Sequence, residues 1–264
     1  MPTNETSMSS TERSELISEM LRLAVAAGDV ILEIYRQDFA IETKKDASPV
    51  TEADKLAEKI IMTGLRNLNL NYEIIAEESI SAGYKPKIRE RPFFLIDPLD
   101  GTRQFIERNG QFTVNIALVE DGIPTLGVIH LPASQETYWT NESAGASKRS
   151  KDGSVTSIHC RKPDQDGLVV LATRSHNNSD TDAFLKKLNI AKLDRCGSSL
   201  KFCRIAEGSA DIYPRLGRTM EWDIAAGHAI LVSAGGKMAD ILGNPIQYGK
   251  KGFESPHFVA IGAE

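Results

Sequence analysis

Phe93-Phe94-Leu95-Ile96-Asp97-Pro98-Leu99-Asp100-Gly101-Thr102 decides how this chain is read. Its four leading apolar residues predict a short buried strand that ends at Asp97. Pro98 then makes a turn, and Asp100 follows it. Gly101 lets the backbone come close to a ligand, and Thr102 can open a short helix whose free N–H groups hold a phosphate. Mg²⁺ takes hard oxygen ligands, usually a few carboxylates completed by water and phosphate. Two carboxylates beside such a helix start would therefore give metal and phosphate one shared site. Taken alone, the segment reads equally well as an Asp-Pro turn with a capping acid.

Upstream, apolar residues at helical spacing begin around Thr11 and run through Leu16, Met20, Leu23 and Ala27 to Tyr35, predicting a long amphipathic helix. Lys44-Lys45-Asp46-Ala47-Ser48-Pro49 reads as a polar loop. A second helix is expected over residues 51–68, with Leu56, Ile60, Ile61 and Leu65 on one face, then a short strand over 72–76 that stops at Glu77-Glu78. Downstream, strands are expected over 112–119 and 126–131, joined through Asp121-Gly122-Ile123-Pro124. Residues 147–154 turn polar and Gly/Ser-rich, as at a lobe boundary or an exposed hairpin. Beyond them come a strand (168–173), two helices (181–188 and 198–207), a strand (210–214) and a helix over 223–234 ended by Gly235-Gly236. The alternation is α/β in character.

With 264 residues, 41% hydrophobic and 25% charged, the chain can bury a substantial core as one large domain or two coupled lobes. A net charge of −5 argues against a nucleic-acid partner, which needs a basic stripe. Three cysteines without zinc-site spacing read as buried thiols in a reducing compartment. No apolar run is long enough to span a bilayer, and the polar N-terminus carries no signal-peptide hydrophobic region. The expectation is a cytoplasmic protein with a flexible extension over residues 1–11.

Several other acids sit at element ends. Glu77 and Glu78 are expected to close a strand, so that at most one of them faces a metal cleft. Asp223 precedes an apolar helix, where it serves either as a ligand or as a first-turn acid. Asp54 follows Thr51 by three residues, close to a capping box.

Four segments, in this order, resemble the inositol monophosphatase superfamily of Mg²⁺-dependent, Li⁺-sensitive phosphatases. They are Val50-Thr51-Glu52-Ala53-Asp54, Ala76-Glu77-Glu78-Ser79, Ile96-Asp97-Pro98-Leu99-Asp100-Gly101-Thr102 with Phe105, and Glu221-Trp222-Asp223-Ile224-Ala225-Ala226-Gly227. The resemblance implies that Glu77, Asp97, Asp100 and Asp223 bind two or three Mg²⁺ ions with their carboxylates and Leu99 with its carbonyl. Asp54 and Thr102 would activate the attacking water, and the Gly101 and Thr102 N–H groups would hold the phosphate. It also implies an α/β (α+β) fold, a layered αβαβα sandwich of the inositol monophosphatase or sugar phosphatase type. Residues 12–157 would form an N-terminal α+β lobe with most of the ligands. Residues 158–264 would form a C-terminal α/β lobe with Asp223 and the specificity residues.

Residues 105–118, Thr173-Arg174-Ser175-His176, Gly197-Ser198-Ser199-Leu200-Lys201-Phe202-Cys203 and residues 206–215 are similar to the CysQ-type 3′(2′),5′-bisphosphate nucleotidase branch. That branch implies release of the 3′-phosphate of adenosine 3′,5′-bisphosphate, a step of sulfur metabolism, by direct water attack. Ser198, Lys201, Arg215 and His176 would then contact substrate. Each has an ordinary alternative: Ser198 as an N-cap, Lys201 and Arg215 as solvated charges, His176 as a loop residue. Lys44 and Lys45 either close over the phosphates or form a solvated face. The alternatives for the whole chain are an inositol monophosphatase and a catalytically inactive nucleotide or metal sensor. A monomer is expected, with a homodimer as the other possibility.

Overall fold

Ser9 and Glu12 start the first helix: the Ser9 side chain accepts from the Glu12 N–H, and the Glu12 carboxylate accepts from the Ser9 N–H. The computed structural model describes residues 8–43, 49–88, 91–141, 145–174 and 179–263. Residues 1–7 of the expected extension, Lys44, Lys45 and His176 lie outside the described residues. Helix α1 (Ser10–Tyr35) begins within the stretch expected to be a flexible extension, with Ser9 as its cap.

A two-stranded hairpin of β1 (Ile41–Thr43) and β2 (Pro49–Thr51) leads into α2 (Glu52–Asn67), then β3 (Glu73–Ala76), α3 (Glu77–Ser81), β4 (Phe93–Asp100) and α4 (Thr102–Ile106). An antiparallel run follows: β5 (Thr113–Glu120), β6 (Ile123–Leu131), β7 (Glu136–Asn141), β8 (Gly145–Arg149) and β9 (Val155–Ile158). The second half holds β10 (Leu168–Thr173), α5 (Ser179–Leu185), β11 (Ile190–Cys196), α6 (Leu200–Ala206), β12 (Ile212–Arg215), α7 (Glu221–Ser233), β13 (Lys237–Asp240) and β14 (Phe258–Ile261). Strands β3 to β9 form a seven-stranded sheet in chain order, and a five-stranded sheet runs β11-β10-β12-β14-β13.

The layers follow from strand alternation, which sends successive side chains to opposite faces. On one face of the large sheet, Phe94, Ile96, Ile116 and Leu118 pack with Leu23, Ala27, Ile61 and Leu65 of α1 and α2. On the other, Phe93, Leu95, Ala117 and Val119 share a core with Phe202 of α6, Ile230 and Leu231 of α7, and Phe258 of β14. Helix α7 is apolar nearly all round because both sheets cover it. Outside the small sheet, Leu185 of α5 packs on Val170 and Ile212. The result is the expected αβαβα sandwich. Gly227 is needed where α6 and α7 meet, since a Cβ there would lie 2.3 Å from the Phe202 ring.

Two expectations are corrected. Glu77 and Glu78 do not close a strand; β3 stops at Ala76, and both acids form the first turn of α3. The N-cap of α6 is Ser199, not Ser198, which adopts a left-handed conformation (φ 48°). The polar 147–154 stretch is a hairpin, in which β8 pairs antiparallel with β9. Among the described residues no helix is long and apolar enough to cross a membrane.

Candidate active site

The two acids of the opening segment are three residues apart, a spacing that would put them on opposite faces of a regular strand. They share a face because β4 carries a bulge. Asp97 pairs with Asn115 and Asp100 with Thr113, so three steps on β4 match two on β5. Pro98, which has no N–H to give to the ladder, sits within this irregularity. The Leu99 N–H donates to Asp97 Oδ1 (3.1 Å), which fixes the Asp97 carboxylate. Both acids project from the face that carries Phe93 and Leu95, toward α7.

Glu77 is held by its neighbours in α3. Glu58, buried on α2, accepts from the Glu78 N–H (2.8 Å) and from the Ser79 hydroxyl. It thereby satisfies a free donor at the start of α3 and anchors that helix to α2. Glu58 was not anticipated as a site residue; its signal was an acid beside Ala57 on the otherwise apolar side of the second helix.

Asp54 forms the expected capping box and also meets Thr102. As the third residue of α2, its Oδ2 accepts from the Thr51 N–H and hydroxyl, each at 2.7 Å. Its Oδ1 accepts from the Thr102 hydroxyl (3.1 Å), which also lies 3.3 Å from the Leu99 carbonyl. Gly101 reaches this arrangement at φ 94°, and a Cβ there would lie 3.0 Å from the Gln111 carbonyl.

Asp223 repeats the pattern at the start of α7. Its Oδ2 accepts from the Met220 N–H (2.9 Å) and the Thr219 hydroxyl (2.7 Å). Burial, and then the nearby Asp100 and Glu77 carboxylates, push its carboxyl up to about 7. Glu221, in the same motif, is consumed by structure. Its carboxylate accepts from the Gly249 and Lys250 N–H groups (2.7 and 3.1 Å) and pairs with Lys250 Nζ.

Carboxylate oxygens of Glu77, Asp97 and Asp223 lie within 4.8 Å of one another. Asp100 stands beside this triplet, tied to it through Ser199. The residues fit a hard divalent cation in three respects. The donors are all oxygens; the raised Asp223 carboxyl marks a crowd of negative charge; and Asn115 Oδ1 and Thr113 Oγ1, opposite Asp97 and Asp100 in register, are buried with no hydrogen-bond partner among the described residues.

A cavity of about 940 Å³ opens beside the carboxylates, lined by Glu77, Asp100, Gly101, Thr102, Asp223, Ser198, Lys201 and Arg215 among others. Lys201 is not a solvated charge. It is 4% exposed, and its Nζ donates to the Ser198 and Cys196 carbonyls and stands over the Tyr213 ring. Burial lowers its pKa from the ordinary lysine value. Arg215 Nη2 donates to the Arg218 carbonyl (2.7 Å), whereas its Nε is buried without a partner among the described residues. Of the four expected substrate contacts, three thus line one cavity, and His176 falls outside the described residues.

A profile of the inositol monophosphatase family matches residues 12–258. The 3′(2′),5′-bisphosphate nucleotidase CysQ of Escherichia coli (strain K12) is 38% identical over 246 residues, covering 92% of this chain and 98% of that protein. The protein of the same name from Buchnera aphidicola subsp. Acyrthosiphon pisum is 40% identical over 236 residues, covering 89% and 88%. Among solved structures, CysQ from Bacteroides thetaiotaomicron superposes with a TM-score of 0.78 at 34% identity, covering 95% of this chain and 98% of that one. An inositol monophosphatase from Zymomonas mobilis gives 0.77 at 30% identity, covering 97% and 95%. With likeness running from the first helix into the last strand, the chain belongs to the inositol monophosphatase family.

Proposed function

We propose that this chain is a Mg²⁺-dependent phosphatase that releases the 3′-phosphate of adenosine 3′,5′-bisphosphate, giving AMP and phosphate. The convergence of Glu77, Asp97 and Asp223 oxygens beside a cavity large enough for a nucleotide carries the reading. The nucleotidase relatives, which match nearly end to end, support the choice of substrate. Glu77, Asp97, Asp100, Asp223 and the Leu99 carbonyl would hold the ions, two or three in number. When bound, Mg²⁺ supplies positive charge that makes an adjacent water more acidic and offsets charge on the phosphate oxygens. The Thr102 hydroxyl orients the attacking water, takes its proton and passes its own to Asp54 Oδ1. As the new P–O bond forms, the P–O3′ bond breaks, and the 3′-oxygen takes a proton from solvent. The Gly101 and Thr102 N–H groups hold the phosphate oxygens as their charge rises.

Lys201 and Arg215 at the cavity wall support a place for the second phosphate, with Ser198 beside them. Arg215→Ala is expected to raise KM for the bisphosphate about tenfold, the cost of one charge-assisted hydrogen bond, and to leave KM for adenosine 3′-phosphate nearly unchanged. Equal changes would remove Arg215 from that role. A division into lobes at 157/158 is supported by the large sheet ending at Ile158. Three free cysteines support a cytoplasmic setting, and a site assembled from one chain supports a monomer over a homodimer.

Phosphate release from adenosine 3′,5′-bisphosphate, 3′-phosphoadenosine 5′-phosphosulfate and inositol 1-phosphate, with Mg²⁺ and then with added Li⁺, tests the reading. The bisphosphate is expected to turn over fastest, with inhibition by Li⁺. Faster turnover of the inositol ester would favour the inositol monophosphatase alternative, which the Zymomonas mobilis structure also fits. No release from any ester would favour an inactive sensor.

A further inference from the structure

Ser199 is a residue the metal and phosphate motifs do not contain, yet it sits where the parts of the site meet. Its hydroxyl lies 2.6 Å from Asp100 Oδ2 on β4 and 2.6 Å from the Asp223 main-chain carbonyl on α7. It accepts from Asn115 Nδ2 on β5 (2.9 Å), and that amide also reaches Asp100 Oδ2 at 3.5 Å. Ser199 and Asn115 are 2% and 1% exposed. The Ser199 side chain does not cap α6, so helix capping does not account for it. The hydroxyl has one hydrogen and two acceptors, and the charged Asp100 oxygen is the stronger of the two. Two residues upstream, the Gly197 N–H donates to Gln111 Oε1 (2.9 Å). The 197–199 segment is thus fastened both to the β5 side of the site and to α7, immediately before Lys201.

We propose that Ser199 is a positioning residue for the cation site. Its hydroxyl holds the Asp100 carboxylate and the first turn of α7 in one geometry, with Asn115 fixing the direction in which the hydroxyl donates. Without it, Asp100 is free to rotate away from the cluster of Glu77, Asp97 and Asp223 and the chain has to reorder it when a cation arrives. The inference rests on the metal-dependent reading above but not on the identity of the ester. Its effect falls on Mg²⁺ affinity rather than on substrate affinity.

Calorimetric titration of the full-length protein with Mg²⁺ alone tests this. Ser199→Ala is expected to raise the Mg²⁺ Kd by about 10–100-fold, the usual cost of losing a group that orients a ligand. Turnover should recover at saturating Mg²⁺, with KM for the ester nearly unchanged. Ser199→Thr, which keeps the hydroxyl, should restore most of the affinity. Asn115→Leu provides a second route, with a smaller loss of affinity expected, should the alanine variant fold poorly. A Ser199→Ala protein that folds and binds Mg²⁺ within about twofold of wild type would overturn the proposal. So would an Asn115→Leu protein with unaltered affinity. Because the titration contains no nucleotide, failure of the substrate panel and failure of this inference are read separately.

Discussion

Two clusters of partly buried carboxylates lie near opposite ends of α6, and they solve the same electrostatic problem in different ways. Beyond the C-terminal end, Glu207 accepts from the Tyr138 hydroxyl (2.8 Å), Lys148 Nζ (2.9 Å) and Arg204 Nη1. Lys148 also pairs with Glu136 (2.5 Å). Burial by itself would raise the Glu207 carboxyl, but Lys148 and Arg204 hold it below the usual carboxylate range. At the N-terminal end, Ser199 touches Asp100 and the Asp223 carbonyl, and the Asp223 carboxyl is pushed up to about 7. Where the chain supplies its own cations, a carboxylate is a fastening between the large sheet and α6. Where burial and neighbouring carboxylates together raise an acid, as at Asp223, the site carries a surplus of negative charge that a bound cation would offset.

Three substitutions would break or sharpen this contrast. Asp97→Asn is expected to have the largest effect, lowering turnover by more than the roughly 10–100-fold that a ligand-orienting group is worth and weakening Mg²⁺ binding in calorimetry. Near-normal activity would remove Asp97 from the ligand set. Glu207→Gln should lower stability by about 1–3 kcal/mol in urea unfolding, because it removes one of the two carboxylates that Lys148 and Arg204 share and leaves them Glu136 alone. Mg²⁺ affinity should be unchanged, and a clear fall would mean that the two clusters are coupled.

The third prediction concerns pH. Asp223 has a folded-state pKa above its ordinary value of 3.8, so the metal-free protein loses stability as pH rises from there to about 7. In EDTA at pH 8, Asp223→Asn should therefore be more stable than wild type, by on the order of 1–3 kcal/mol. The gain should shrink as pH falls toward 4. Glu207 has the opposite sign: its contribution is present above its ordinary value of 4.5 and is lost only below it, as pH falls through its lowered folded-state pKa. A pH-independent difference between Asp223→Asn and wild type would show that Asp223 carries no unusual charge burden.

The order of Asp54, Glu77, Asp97–Thr102 and Asp223 was legible in the sequence, as were the main helices and the strands that hold these residues. The elements were legible from apolar periodicity. The acids were legible as one site only through the resemblance of four segments to a family, since each alone reads equally well as a capping or turn residue. Contacts made across the fold were not legible. Ser199, Asn115 and Glu58 lie far in sequence from the groups they hold, and each reads locally as an ordinary helix or strand residue. Glu221 failed in the other direction, since it stands inside a motif and is spent on the 249–250 turn. Strands β7, β11, β13 and β14 were missed, and the β8–β9 hairpin was one of two readings of residues 147–154. Strand β11 in particular carries Lys192, Asp194 and Arg195 at an exposed sheet edge, where polar side chains hide the alternation. Glu77 was assigned to a strand end because a five-residue helix has too little length to display its period.

The bulge in β4 also imposes a rule of counting. The interval from Asp97 to Asp100 exceeds the facing interval on β5 by one residue, the residue that the bulge absorbs. Deleting Pro98 or Leu99 would remove the extra residue that makes the bulge, and inserting one residue would displace Asp100 from its register opposite Thr113. Either change would move the Leu99 carbonyl and the Gly101 corner from their places beside Thr102 and Asp54. A substitution in this segment changes one side chain, but a change of length by a single residue moves every group that follows it. Single-residue insertions and deletions here should therefore be tolerated less well than apolar replacements at Leu99, which is buried in the core and whose carbonyl accepts from the Thr102 hydroxyl.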